Sequence, residues 1–343
     1  MANRTKLSFA SFNLYNLNQP GLPIYRDRDG WSAEQHALKV EWAAMQLQRL
    51  QADVWGFQEL WHQKSLEECY AAAGLGDDYH LLTQPNHQGG HIDCAAAVRK
   101  KLLVGEPQWI VKFPEEFILQ SGGDDPQTSD LRVAIDRFSR PVLHFTIRPR
   151  QNGKIISVYV VHFKSKGPTD VYREKWYRDN NEYYADHRTA IGSAISTIRR
   201  TAEATALRMM LTQAMKHNGN PVVVLGDCND TTHSNTLNIL TGQPNYLLSG
   251  YAKGGSDTAL YTAETLQEYR SLRDVYYTHI YKNLHESLDQ ILVSQEFYDN
   301  SKNRLWAFKG MEVVNDHLNR DDHKQSGSTD HGIVKASFEY RPA

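Results

Sequence analysis

Several apolar runs in this chain stop at the same kind of residue. VVVLGDCND (222–230) runs apolar to Gly226, where a turn is expected, and then presents Asp227 and Asn229. ADVWGFQEL (52–60) reaches Gln58 and Glu59, KIISVYVVHFKSKG (154–167) reaches His162, Lys164 and Lys166, and ESLDQILVS (286–294) carries Asp289. LSFASFNLYNL (7–17) holds Asn13, and Asp330 and His331 stand just before the last run, HGIVKASFEY (331–340). Short apolar runs bounded by turn-forming residues read as buried strands. Strands lying side by side would bring these ends to one edge, where α/β sheets gather reactants.

Two long segments have helical spacing instead. Residues 34–50 place Leu38, Trp42, Met45, Leu47 and Leu50 on one face. Residues 189–216 do the same with Ile191, Ile195, Ile198, Ala202, Leu207, Met210 and Leu211. Strands follow one another directly in several places, so one α/β sandwich domain over residues 1–343 is expected rather than a strictly alternating βαβ chain. Residues 241–257 read as a Gly/Ser/Asn-rich connection and 315–329 as a mobile polar loop.

Charge narrows the chemistry. With 38 Lys and Arg against 40 Asp and Glu, the net charge is −2, so no global basic field holds a polyanion. A phosphate-bearing substrate must be met by a few local cations or a metal. The cysteines, Cys69, Cys94 and Cys228, show no ligand spacing and read as free thiols in a reducing compartment. Cys228 should point into the core, away from its polar neighbours. No run is long and apolar enough for a membrane span, and MANRTKLSFASFN lacks an apolar signal segment. A cytoplasmic protein is expected, with a secreted mature form left open.

Each polar strand end also has a plain structural reading. Asp227 and Asn229 are ordinary turn formers, His162 could be a satisfied core histidine, and Arg200 an exposed helix residue. Together and in this order they resemble the motif series of the endonuclease/exonuclease/phosphatase (DNase I-like) superfamily. HFKSKG followed by RRTAEATAL (199–207) is most similar to bacterial nucleases of that group. The resemblance implies a four-layer α/β/β/α sandwich of two mixed β-sheets and divalent-metal-dependent phosphodiester cleavage. It implies Mg²⁺ or Mn²⁺ on Asn13, Glu59 and Asp330, and a hard carboxylate such as Glu59 suits Mg²⁺. It further implies that Asp227 aligns and deprotonates the attacking water while Asn229 fixes it. Asp289 would orient His331, His162 would hydrogen-bond the phosphate, and Lys164, Lys166 and Arg200 would contact flanking phosphates.

Some features bear on the substrate. Apurinic endonucleases usually carry an acidic residue where Tyr15 stands, which weakens an abasic-site reading. The Cys-Asp-Arg run of inositol 5-phosphatases is missing from ESLDQIL, and there is no apolar hairpin of the sphingomyelinase kind. The expected partner is therefore a nucleic acid, DNA before RNA, met by a monomer away from membranes. The alternatives are a phosphodiesterase or phosphatase for a small or lipid phosphate, and a catalytically silent binding module. WYRDNNEYY (176–184) could stack bases or cover the sandwich edge, with cover favoured. His91 in GGHID could reach the site. His317 and His323, near Asp316, Asp321 and Asp322, match no zinc spacing.

Overall fold

A computed structural model describes residues 3–25, 28–123, 127–246, 254–271 and 276–343. Residues 247–253 of the expected 241–257 connection thus lie outside the described residues. The strands are β1 (Lys6–Leu17), β2 (Val54–His62), β3 (Tyr79–Leu82), β4 (Gln88–Arg99), β5 (Leu103–Lys112), β6 (Gln120–Ser121), β7 (Leu131–Arg132), β8 (Arg137–Ile147), β9 (Ile156–His162), β10 (Val222–Asp227), β11 (Tyr261–Thr262), β12 (His279–Tyr281), β13 (Leu284–Glu286), β14 (Asp289–Val293), β15 (Trp306–Val314) and β16 (Ile333–Tyr340). The helices are α1 (Ala33–Leu50), α2 (Gln63–Ala72), α3 (Lys175–Asp179), α4 (Asn181–Tyr184), α5 (Arg188–Met215), α6 (Asn235–Thr241), α7 (Ala263–Glu268) and α8 (His323–Ser326).

Two six-stranded mixed sheets face each other, ordered β15-β16-β1-β2-β4-β3 and β11-β14-β10-β9-β8-β5. Each has one parallel pair at its centre, β1 with β2 and β9 with β10, and antiparallel pairs outside. Side chains alternate across a strand, so one set fills the space between the sheets. Phe9, Val54, Val158, Val160, Val223, Leu225, Ile291 and Val293 build that inner core. The alternate residues Ala10, Phe12, Trp55 and Phe57 pack on Ala43, Leu47, Leu66 and Tyr70 of α1 and α2. On the far side Val161, Val222, Val224 and Cys228 pack on Leu207 and Leu211 of α5 and Leu237 of α6. The expected four layers are present, and Cys228 points outward into the helix layer. At Gly56 the sheets approach so closely that a Cβ would lie 3.0 Å from Leu225 Cβ.

Several local expectations change. Gly226 is not a turn: β10 continues through it to Asp227. Its φ of 147° and the 2.0 Å that a Cβ would leave to the Val161 carbonyl make glycine necessary there. Residues 315–329 are a packed cover, not a mobile loop. They form a 3₁₀ turn (Asp316–Asn319) and α8, and Leu318, Ser328 and Thr329 are buried. Strands β3, β5 and β15 lacked a recognisable alternating signal. In 176–184, Tyr177 is buried while Trp176 and Tyr183 are exposed, so the segment keeps two rings in solvent. Among the described residues no helix is long and apolar enough to cross a membrane.

Candidate active site

The four central strands β1, β2, β9 and β10 run their C-terminal ends to one edge, and β14 and β16 start there because they run the opposite way. Period two decides which side chains face inward. On β10, Asp227 follows Val223 and Leu225; on β9, His162 follows Val158 and Val160; on β14, Asp289 precedes Ile291 and Val293. Asp227 sits in register with His162 on one side and Asp289 on the other. Asn13 follows Phe9 and Ser11 on the inner face of β1.

Glu59 breaks this rule. Strict alternation would send it to the helix layer with Trp55 and Phe57. Instead it adopts φ 59°, the pairing with β4 shifts between Phe57 and Leu60, and its carboxylate turns to the site. A left-handed non-glycine residue costs on the order of 1–3 kcal/mol and persists only where its surroundings hold it. Here Glu59 Oε2 accepts the Asn16 N–H at 3.0 Å. Asn16 is itself left-handed, with its carbonyl accepting from Trp31 Nε1 at 2.7 Å and its side-chain oxygen from Trp61 Nε1 at 3.0 Å.

Asp227 is the hub. Its Oδ1 accepts the Asn229 N–H at 2.8 Å, and its Oδ2 accepts Asn13 Nδ2 at 3.2 Å. His162 Nε2 and His331 Nε2 lie 3.6 and 3.9 Å from the same Oδ2. Burial, reinforced by the charges of Asp289 and Glu59 against a lowering influence from His331, raises the Asp227 carboxyl to about 7. Burial likewise drives His162 well below the usual histidine range, with Arg140 and His331 adding to it, so the ring is neutral. Its Nε2 faces only the carboxylates of Asp227 and Glu59, which places the proton there, while Nδ1 has no partner. His331 goes the other way. Burial alone would lower it, but the charge of Asp289, then that of Asp227, and a 2.8 Å bond from Nδ1 to Asp289 Oδ2 hold it well above its usual value. Asn229 donates Nδ2 to the Phe163 carbonyl at 3.1 Å, which fixes its amide plane.

Beside this hub Glu59 and Asp330 oppose each other. Burial first and the Asp330 charge second raise the Glu59 carboxyl, and Asn13 hydrogen-bonds it. The two carboxylates, with no thiol beside them, form an oxygen-rich pair that fits a hard divalent cation; Asn13 turns Nδ2 to the carboxylates and Oδ1 to the Tyr15 N–H at 3.0 Å, so its oxygen would have to turn inward to join them. The structure therefore brings Asn13, Glu59, His162, Asp227, Asn229, Asp289, Asp330 and His331 together at one edge.

The basic residues divide. Lys164 hands Nζ to Ser165 Oγ and the Gly167 carbonyl and lines a cavity of about 700 Å³. Arg200 does not reach outward to a phosphate. It is buried, donating to Asp230 at 3.2 Å and to the carbonyls of Lys164 and Ser165, because the loop after β9 turns two carbonyls and the loop after β10 one carboxylate toward α5. Lys166 is paired with Glu286 and lies 3.8 Å from Asp230, so its charge is already partnered.

Sequence reasoning missed three supporting residues, Arg140, Glu203 and Lys39, and left His317 without a role. Arg140, in the first half of β8, donates to the Phe163 carbonyl at 3.2 Å and lines the same cavity with Tyr25 and Trp61. Glu203, fully buried on α5, accepts the N–H groups of Ser139 and Lys164, both at 2.7 Å. Lys39, buried on α1, puts Nζ 4.5 Å from the Trp31 ring and 5.0 Å from the Tyr15 ring. His317 donates or accepts at the His331 carbonyl, 2.9 Å away; a carbonyl only accepts, so His317 Nε2 is the donor and supports the site rather than binding metal. His323 bonds Ser328 Oγ at 2.9 Å, and neither histidine joins a metal-ligand grouping among the described residues. A buried glutamate or lysine within a helical pattern carries no distinguishing sequence signal.

Two facing mixed sheets with carboxylates and histidines gathered at one strand edge define a DNase I-like hydrolase of phosphoester bonds. The model of the Endonuclease/Exonuclease/phosphatase family matches residues 10–331, and the chain belongs to that family. Solved structures share the fold at low identity. An endonuclease/exonuclease/phosphatase from Bacteroides vulgatus is 14% identical, with 98% of this chain and 100% of that one covered and a TM-score of 0.54. D. rerio TDP2 complexed with a single-strand DNA product is 15% identical, covering 98% and 100%, with a TM-score of 0.54. The Bacteroides thetaiotaomicron mannosyl-6-phosphatase Bt3783 is 12% identical, covering 97% and 100%, with a TM-score of 0.52. A search of curated proteins gives no match.

Proposed function

We propose that this chain is a divalent-metal-dependent nuclease that hydrolyses DNA phosphodiesters by in-line attack of water, acts as a monomer, and belongs with the bacterial nucleases carrying HFKSKG. One observation carries the reading. Asp227 Oδ2 lies within 3.2–3.9 Å of Asn13 Nδ2, His162 Nε2 and His331 Nε2, beside the Glu59 and Asp330 pair. A base, two hydrogen-bond donors for an anion and a carboxylate pair suited to a cation thus share one strand edge.

Asn13, Glu59 and Asp330 would hold Mg²⁺ or Mn²⁺, which supplies positive charge against the phosphate oxygens. Asp227, held by the Asn229 N–H, takes the proton of the attacking water. Asn229 fixes the water through its amide oxygen. His331, kept as imidazolium by Asp289, donates Nε2–H to a non-bridging phosphate oxygen as charge builds on it. His162 offers its single N–H to the same phosphate. Water's oxygen bonds to phosphorus, the bond to the 3′ oxygen breaks, and a 5′-phosphate remains. Arg140 and Lys164 give the adjoining cavity positive charge, and the rings of Tyr25 and Trp61, which meet edge to face with centroids 5.1 Å apart, line it too. Cations next to aromatic rings suit a nucleotide strand, which offers both phosphate and base.

The test is degradation of plasmid and single-stranded oligonucleotides with Mg²⁺ or Mn²⁺, with and without EDTA, in wild type and Asp227→Ala. Metal-dependent cleavage abolished in the variant is expected. Intact nucleic acid together with turnover of a sugar phosphate, nucleotide or phospholipid would overturn the nuclease reading in favour of a small or lipid phosphoester. No metal-dependent turnover on any of them would point to a silent binding module.

A further inference from the structure

A second cluster of titratable side chains stands outside the strand-edge centre. His91 and Asp93 share one face of β4 through the two-residue period, and His87 precedes the strand. His87 and Asp93 are buried, whereas the His91 side chain is 64% exposed. His87 Nε2 lies 2.9 Å from the Leu60 carbonyl, which only accepts, so Nε2 carries a proton. On a neutral ring Nδ1 is then a bare lone pair, 3.2 Å from Asp93 Oδ2. His91 Nε2 approaches the same oxygen at 3.1 Å. Neither oxygen of the buried Asp93 meets a donor in good geometry apart from the approach of His91 Nε2. The lone pair that His87 turns on this buried carboxylate makes a costly arrangement unless a cation, a proton or a metal ion, lies between them.

We propose that His87, Asp93 and His91 form a binding site for a zinc-class transition metal ion, separate from the Glu59 and Asp330 pair. All three ligand atoms lie within 4.8 Å of one another. Their separations of 3.1 and 3.2 Å from the shared oxygen match the edge of a tetrahedron with bonds of about 2.0–2.1 Å, roughly 3.3 Å. The His87 bond to the Leu60 carbonyl is the kind of outer contact that fixes a ligating imidazole in one tautomer and orientation. Two imidazoles and one carboxylate favour Zn²⁺ or Co²⁺ over Mg²⁺. His91 lines the cavity shared with Arg140 and Lys164, so the fourth position opens toward solvent and any anion held there. The site stands on its own geometry and not on the nuclease reading.

The experiment titrates Co²⁺ into the chelator-stripped full-length protein and follows the visible absorption of tetrahedral cobalt. The expected result is a visible band saturating at one equivalent, displaced by Zn²⁺ and not by excess Mg²⁺. His91→Ala, at an exposed position that leaves folding intact, should weaken binding by at least about tenfold. Asp93→Asn should do the same, and Glu59→Gln should retain the band. A wild type without the band, or a His91→Ala variant that binds as wild type does, would show that only a proton bridges His87 and Asp93. Loss of the band in Glu59→Gln would assign the cobalt to the other centre and likewise overturn the proposal.

Discussion

Asp289 Oδ2 lies 2.8 Å from His331 Nδ1, across two strands and 42 residues of sequence, and it is this pairing that leaves His331 Nε2 facing Asp227. Asp289 is placed by its backbone: its N–H and that of Leu288 both donate to Thr278 Oγ1, at 3.1 and 2.9 Å. Asp289→Asn keeps the shape but removes the charge that holds the imidazolium and can offer an N–H where Nδ1 needs an acceptor. Steady-state kinetics should show kcat reduced by roughly 10²–10⁴-fold with little change in KM. An equal rise in KM would place the pair in substrate binding instead.

In the mechanism proposed above, the opposed shifts of Asp227 and His331 give a bell-shaped pH profile. Asp227 works only when deprotonated, and burial together with Asp289 raises it to about 7, so activity should climb as pH rises through that region. His331 works only when protonated, and the Asp289 charge overcomes burial to hold it well above its usual value, so activity should fall at higher pH. The two active forms coexist only between these limits. In Asp289→Asn the alkaline limb should move to lower pH while the acid limb stays, read from kcat/KM across pH 5–10, a range chosen to cover both groups.

Asp227 also couples activity to stability. Its folded value lies above the unfolded carboxylate value, so its favourable contribution is complete below the unfolded value and is lost as pH rises through about 7. At pH near 8 the ionised group is a cost to the metal-free fold. Asp227→Asn should therefore abolish hydrolysis yet stabilise the EDTA-treated protein, by on the order of 1–3 kcal/mol in urea titration. The gain should vanish near pH 4, where wild type is protonated as well.

How far the site was readable before the structure follows from side-chain period. Asp227, His162 and Asp289 stand at the ends of apolar runs, so their convergence was legible, whereas runs such as VVVL and ILV are apolar at every residue and hide which way a side chain faces. Glu59 was found by its position at a strand end, yet its direction depends on a left-handed backbone that no alternation reveals. The helix faces were misread for a related reason. Leu38 and Met45 of α1 are 38% and 49% exposed, while Lys39 and His36 are buried, because the first turns of the buried face serve Tyr15, Trp31 and Ser65 before Ala43, Leu47 and Leu50 meet the apolar layer. In α5 the exposed Ile198 gives way to Gly192, Ser196 and Arg200, which meet the loop after β9. Function at a helix face replaces apolar residues with polar ones and erases the periodic signal.

The carboxylate of Glu203 ties two distant segments by accepting the N–H groups of Ser139 and Lys164. Glu203→Gln keeps the volume but turns an NH₂ toward one of these donors, leaving it unpaired in the interior. The unfolding free energy should drop by roughly 1–3 kcal/mol. Because Ser139 and Lys164 flank Arg140 and the cavity, KM for an oligonucleotide should rise as well. Unchanged stability would mean that another acceptor replaces the carboxylate.

Arg140 and Arg200 should separate in a salt series. Arg140 lines the open cavity beside Lys164, whereas Arg200 is buried against Asp230 and two carbonyls. A side chain that neutralises a substrate phosphate contributes to the salt dependence of binding, and one that braces a loop does not. For Arg140→Ala, the slope of log affinity against log salt for an oligonucleotide should fall by about 0.7–0.9, with weaker binding at every salt concentration. Arg200→Ala should keep the wild-type slope and lose stability, because Asp230 is left partly buried without its guanidinium partner. If Arg200→Ala flattened the slope and Arg140→Ala did not, the phosphate-facing surface would lie on the α5 side of the β9 loop and not in the cavity.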